Sequence, residues 1–264
     1  AARDMEFVWQ RVVELCRRHG KIAGGDAACG FANTAMQLAG KRMIPTVVAA
    51  VIRAMGAARS LVALECGATG PDKDCAYEGP ILKAIAGIPI SMEGKSAACA
   101  HSSPLGNVAM CCCDLWSNES VPFVNLFGGH TPEVCLEQLW YDCKLMNTAS
   151  KQGQALALRN LLSESDIHTS AEALILAPAS ALRLARAIVA SPDRATRTLN
   201  AAREALRIID EALADGRLVI PPIEMPWLDP MRESLDEFAG LDGKRIDFYA
   251  AQFPDRFIPG EYGL

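Results

Sequence analysis

The sequence predicts an α/β protein: a parallel sheet covered by helices, with a helical region appended at the C-terminal end. Two observations carry this. From about residue 20 to 149, short apolar β-leaning runs alternate with helical stretches four times, and each run is followed by a polar, mostly Gly-containing loop. Repeated β/α units with buried strands imply a parallel sheet, and its loops then open at one rim. Beyond about 150 the pattern changes to long stretches rich in Ala, Leu, Arg and Glu. The chain therefore divides into 1–150, carrying the β/α units, and 151–264, a helical region packed on them.

Residues 3–19 place Phe7, Val8, Trp9, Val12, Val13, Leu15 and Cys16 at a helical period, with a basic end and Gly20 as the stop. "KIAGG" (21–25) reads as a short strand, followed by the loop "DAACGFANT". A helix over 45–58 has Pro45 in its first turn. "SLVALE" (60–65) reads as a buried strand, followed by the polar loop 66–77 and a short helix, "EGPILKAIAG". "IPISM" (88–92) is strand-like, then come the loop "EGKSAACAHSS", a helix over 104–116 and a strand candidate at 121–127. The helix 131–149 follows Gly128 and Gly129. Further on, 154–163, 170–190 and 194–215 are helical, "PPIEMPWLDP" (221–230) breaks the run, and two shorter helices precede the tail "FIPGEYGL".

The 264 residues carry a net charge of −5 and only 6% aromatic residues, with no long basic run. That disfavours nucleic acid as a partner. No uninterrupted apolar stretch reaches the roughly 18 residues needed to cross a membrane; 44–58 comes closest and Arg53 interrupts it. No signal peptide is visible, so the expected location is cytoplasmic. The ten cysteines, three of them consecutive at 111–113, do not read as a disulfide framework. The chain opens on Ala1, directly in a helical pattern, which suits a piece of a longer protein.

Cys75 sits in the charged loop "GPDKDCAYEG", an unusual place for a residue that ordinarily behaves as a small buried hydrophobe. Cys29 occupies a comparable Gly/Asp loop after the preceding strand. Two thiols from adjacent strand ends suit a catalytic zinc site, which takes three protein ligands and keeps one position open. Buried or incidental thiols are the alternative. Cys99 and His101 form a rival pair on the next loop: a C-x-H step on an extended segment points both side chains one way. They read as ligands, as a proton donor in the case of His101, or as loop hydrogen-bonding groups. Asp26 and Asp74 each lie within three residues of a candidate thiolate, and an outer role of orienting it suits one of them. Asp72, Glu78 and Glu93 add carboxylates to the same rim, mostly as caps or loop partners, and His130 follows the paired glycines there. Cys111–Cys113 cannot share one ion from a helix, because successive residues diverge by about 100°. Cys66 is a weak candidate. Cys16, Cys135 and Cys143 read as packing residues, His19 as a helix-end group and His168 as a surface group. No phosphate-binding glycine motif is present.

The segments "GDAACGFANTAM", "RSLVALECGATGPDKDCAYEGP", "GIPISMEGKSAACAH", "CCDLWSNESV" and "YDCKLMNTA", with the tail "EYGL", resemble the zinc subunit of methanol:corrinoid methyltransferase. The likeness is dense from about 20 to 150 and thinner afterwards. It implies a TIM-type (β/α)8 barrel with added helices, of which this chain carries roughly the last four β/α units and the C-terminal helical region. It implies Zn2+ held by Cys29 and Cys75. The family's third ligand, a glutamate from an earlier strand, has no counterpart in this chain, and Asp26, Glu93 or His101 are the available substitutes. Family members extend further at the N-terminus, so the natural protein is expected to be longer, or to pair with another chain that completes the barrel and covers its open edges. The implied reaction moves a methyl group from methanol to the cobalt of a corrinoid supplied by a partner protein, within a homo- or hetero-oligomer. The alternatives are a relative using another methyl donor, such as a methylamine or methoxyarene, and a catalytically incomplete interaction module.

Overall fold

A computed structural model describes residues 2–24, 35, 38–69, 78–88, 132–241, 244–254 and 258. Among the described residues the secondary structure is helical and no β-strand occurs. Helix α1 spans Ala2–Arg18, with Asp4 in its first turn and Arg17 and Arg18 in its last, as the helix dipole favours. Of its many apolar residues only Met5, Trp9 and Val13, spaced by four, are buried.

Helix α2, Thr46–Glu65, is the centre of the molecule. It departs from the sequence reading, because "SLVALE" is not a strand but the C-terminal third of this helix. The helix is buried on most faces, through Val47, Ala50, Ala54, Ala57, Ala58, Leu61 and others, and so shows no clear one-sided period. A short apolar run in such a helix is indistinguishable from a buried strand by pattern alone. By length and composition α2 is also apolar enough to cross a membrane, but 72% of its apolar window is buried inside the protein.

Helix α3, Gly79–Ala86, has proline in its first turn and ends on Gly87 at φ 64°, whose N–H donates to the Lys83 carbonyl. Such a left-handed ending suits glycine. Helices α4 (Pro132–Lys151) and α5 (Ala155–Ile167) follow. The predicted helix over 170–190 is two helices, α6 (Ala171–Leu176) and α7 (Pro178–Val189). Pro178 explains the break: it has no N–H to continue α6, and it holds Ala177 in an extended conformation at φ −56°, ψ 144°. Ser170 caps α6 by accepting from the Ala173 N–H at 3.1 Å. Helix α8, Arg194–Ala214, is capped by Asp193, which accepts from the Thr196 N–H at 2.7 Å. A 3-10 turn, Met225–Trp227, leads into α9 (Leu228–Gly240), and α10 spans Arg245–Gln252.

One continuous core joins α2 and α3 to α6, α7 and α8. Small residues let the backbones approach closely: Ala50, Ala54 and Ala57 of α2 share this core with Ala201, Ala202 and Ala205 of α8. Ile81, Leu82, Ile175, Leu176 and Leu184 fill the remaining volume and are fully buried. Each stabilises the fold by about 1.5–3 kcal/mol relative to exposure. A second cluster, of Met5, Trp9 and Val13 with Ala23, Val62, Ala63 and Ala68, holds α1 on the end of α2. At the periphery α8 is fastened by arginines. Arg194 pairs with Glu6 of α1 at 2.7 Å, Arg197 pairs with Glu65 of α2, and Arg183 of α7 pairs with Glu211 at 2.6 Å and Glu204 at 2.8 Å.

The strand expected at 21–25 is not seen over its described residues, 21–24. Residue 88 opens the strand expected at 88–92 and is irregular; the rest of that strand, the helix at 104–116 and the strand at 121–127 lie outside the described residues.

Candidate functional site

The residues singled out from the sequence, Cys29, Cys75, His101, Asp26 and Asp74, lie outside the described residues, as do Glu93, Cys99, Cys111–Cys113 and His130. Among the described residues no group of three or more His, Cys, Asp or Glu side chains is placed to hold a metal ion. What the structure does define is the ground from which the two candidate loops emerge.

The segment 21–24 leads into the Cys29 loop, and 66–69 leads into the Cys75 loop. The two are joined by a backbone hydrogen bond, Thr69 N–H to the Ala23 carbonyl, at 2.9 Å. Ala23 and Ala68 are buried together against Val13, Val62 and Ala63. Gly67 makes the approach possible. It takes φ 106°, a conformation L side chains rarely adopt, and an added Cβ would lie 3.3 Å from Val13 Cγ1. Segments 46 residues apart in sequence are thus fixed side by side immediately before both cysteine loops.

The far end of the Cys75 loop is fixed as well. Glu78 opens α3, and its backbone carbonyl accepts from the Ile81 and Leu82 N–H groups at 2.9 and 3.1 Å. Its side chain does not cap its own helix. Instead it turns inward to α2, where Ser60 Oγ donates to Oε1 at 3.3 Å and Arg53 Nη1 lies 3.7 Å from Oε2. Arg53 is fully buried and Glu78 is 1% exposed. Sequence reasoning took Glu78 as one of several rim carboxylates and Arg53 only as an interruption of an apolar run. A basic residue within an otherwise apolar helix was the available signal, since a buried cation needs a buried partner.

Among the described residues, Cys16 and Cys66 behave as packing groups and His168 as a surface group. Cys66 packs against the α1 cluster, with its thiol 3.8 Å from the Glu6 carbonyl. Burial, helped by the Glu6 carboxylate, pushes this thiol above its ordinary pKa. That shift favours the protonated thiol. Cys16 packs against the same cluster. Cys16, Cys66 and Cys143 are free thiols. The exposed His168 ring lies 2.7 Å from the Arg217 carbonyl through Nδ1 and 3.2 Å from Glu164 through Nε2.

Comparison with known proteins identifies the relatives of this chain. The family described as methanol-cobalamin methyltransferase B subunit matches residues 1–263. A methanol–corrinoid protein co-methyltransferase from Methanosarcina barkeri is 40% identical over 268 aligned residues, covering 99% of this chain and 58% of the relative. In the crystal structure of the methanol:cobalamin methyltransferase complex MtaBC from Methanosarcina barkeri, one chain superposes at a TM-score of 0.86 with 39% identity. That match covers 100% of this chain and 59% of the other, and it supports a barrel-type fold. The chain thus spans just under three fifths of the length of these relatives. With that family model matching residues 1–263, this chain belongs to the methanol-cobalamin methyltransferase B subunit family.

Proposed function

We propose that the protein transfers the methyl group of methanol to the cobalt of a corrinoid carried by a partner protein, in a zinc-dependent reaction. The match over residues 1–263 carries this reading. A relative named as a methanol–corrinoid protein co-methyltransferase and a solved methyltransferase complex add weight to it. In this reading the architecture is a TIM-type (β/α)8 barrel. Residues 1–150 contribute roughly its last four β/α units and 151–264 form the helical region packed on it. The free thiols Cys16, Cys66 and Cys143 suit a cytoplasmic, reducing compartment.

Cys29 and Cys75 are the zinc ligands. Their donor chemistry fits, since thiolates are among the preferred ligands of this ion. The Ala23–Thr69 bond supports the pairing, because the segments feeding both loops lie side by side. A third protein ligand completes the set, and Asp26, Glu93 and His101 are its candidates in this chain. Zinc, when bound, supplies a Lewis acid for the oxygen of a poor leaving group. The other roles fall to the chain itself: Asp26 or Asp74 orients a thiolate, and His101 or a rim carboxylate delivers the proton with which the methanol oxygen leaves as water. Over the whole reaction the methyl–oxygen bond breaks and a methyl–cobalt bond forms.

The test is methyl transfer to a reduced corrinoid protein, with methanol, a methylamine and a methoxyarene offered in parallel. Transfer from methanol, lost in Cys29→Ser and in Cys75→Ser while zinc is held more weakly through the remaining cysteine, is the expected result. Transfer from another donor in place of methanol would reassign the substrate. Full zinc and full transfer in Cys75→Ser would remove the site.

A further inference from the structure

We propose that the turn Lys41–Met43, together with the neighbouring turn at 223–227, is a docking surface for the corrinoid-bearing partner, met by an acidic and partly apolar face of that protein. This rests on the partner reading above and not on the metal site. The first turn follows the helical residues 38–40. The Arg42 N–H donates to the Ala39 carbonyl and the Met43 N–H to the Leu38 carbonyl, both at 2.8 Å. This is a helix ending whose left-handed position ordinarily takes glycine. Here Arg42 occupies it at φ 58°, the one non-glycine residue with positive φ among the described residues. A side chain at that position costs stability. The fold does not use the side chain in return: Lys41 and Arg42 are exposed, and neither has an ion-pair partner among the described residues. Arg217 and Arg232, by contrast, are matched by Asp215 and by Asp210 and Asp229. Ile44, next in the chain, packs on Ala35, Ala39 and Ala49 and so anchors the turn.

The second turn is fastened beside the first. Glu224 accepts from Thr46 Oγ1 at 2.6 Å and from the Val47 N–H at 3.1 Å, a few residues after Met43. The residues around this buried carboxylate face outward: Ile223 is 80% exposed, Met43 68%, Trp227 48% and Met225 46%. Single exposed apolar side chains are ordinary, but a group of four held together by one buried carboxylate marks an interaction surface. Arginine, tryptophan and methionine are also the residue types that such surfaces favour.

Charge identifies the occupant. The chain carries a net charge of −5, yet this corner presents two unmatched cations, so its complement is acidic. A second copy related by a two-fold axis through this face would set Lys41 and Arg42 against their own equivalents, which is repulsive. The protein that the reaction requires beside this chain is the corrinoid carrier, and a relative was solved within a methyltransferase complex.

The test is binding of the full chain to the corrinoid protein on which the Methanosarcina barkeri relative acts, by titration calorimetry without methanol, at two salt concentrations. Arg42→Gly is the most informative variant. Glycine suits the left-handed position, so this variant should unfold at or above the wild-type temperature and still bind more weakly. Lys41→Glu/Arg42→Glu and Trp227→Ala should each weaken binding roughly 10–30-fold. Added salt should weaken wild-type binding and affect the charge-reversed variant less. Wild-type affinity in all three variants would overturn this surface. So would self-association of the wild type, seen by sedimentation, that the variants abolish while the corrinoid protein still binds; the face would then belong to a second copy. A wild-type chain that does not bind the corrinoid protein would instead overturn the partner reading, and this inference with it.

Discussion

The N-terminus of α2 presents a problem that the neighbouring sequence cannot solve. Its N-cap is Pro45, which offers no side-chain hydrogen bond, while the Val47 N–H sits at a fully buried residue. The partner comes from 177 residues away. Glu224 Oε2 accepts from the Val47 N–H at 3.1 Å and from Thr46 Oγ1 at 2.6 Å. A carboxylate at this point also meets the positive end of the helix dipole. Glu224→Ala removes a charge-assisted acceptor worth about 1.5–3 kcal/mol and a helix-end interaction worth about 0.3–1 kcal/mol. The expected loss is about 2–4 kcal/mol. Glu224→Gln keeps an acceptor oxygen and loses only the charge, so it should cost about 1 kcal/mol. Urea unfolding followed by circular dichroism reads both as a lower midpoint at unchanged slope. Thr46→Val should then cost less in the Glu224→Ala background than in wild type, because the two share one interaction. A Glu224→Ala protein within about 0.5 kcal/mol of wild type, the usual range for an inconsequential surface change, would refute this account of how the C-terminal region secures the central helix.

Gly67→Ala places a Cβ 3.3 Å from Val13 Cγ1 on a backbone at φ 106°. It should lower stability by about 1–3 kcal/mol, and an unchanged unfolding midpoint would show that the 66–69 segment tolerates another backbone path. Acid sensitivity follows from Glu211, whose carboxyl the Arg183 guanidinium holds below its ordinary pKa. Its folded-state pKa is depressed, so the stabilisation is complete above the ordinary carboxylate value of about 4.3. It fades as the pH falls from there through the lower folded-state value. Arg183→Met should flatten that part of the stability–pH curve, and a curve of unchanged shape would assign the acid response to other groups.

The helices of the C-terminal region were legible because their signals are local. Ser170 and Asp193 precede helical stretches, whereas the division of 170–190 at Pro178 went unread because the periodic pattern runs through it. Residues 60–65 were misread for a reason the structure makes plain. Ser60, Leu61, Val62 and Ala63 are all buried, so the polar face that would have declared a helix is missing. Long-range partnerships were beyond reach of the sequence in principle. Nothing near Thr46 points to Glu224, and nothing near Ala23 points to Thr69. Glu78 stood out as a carboxylate, but its meaning depends on Arg53 and Ser60, which only α2 as a single continuous helix brings to it. The family was legible because long unusual segments carry it, and the match over residues 1–263 establishes it.

The central claim is that Cys29 and Cys75 together hold zinc. X-ray absorption at the zinc edge, on reduced protein dialysed free of loose metal, tests it most directly. The account predicts about one tightly held zinc per chain with two sulfur neighbours near 2.3 Å, the sulfur signal falling by half in Cys29→Ser and in Cys75→Ser. Zinc surrounded only by nitrogen and oxygen, or a sulfur signal that neither substitution reduces, would contradict it.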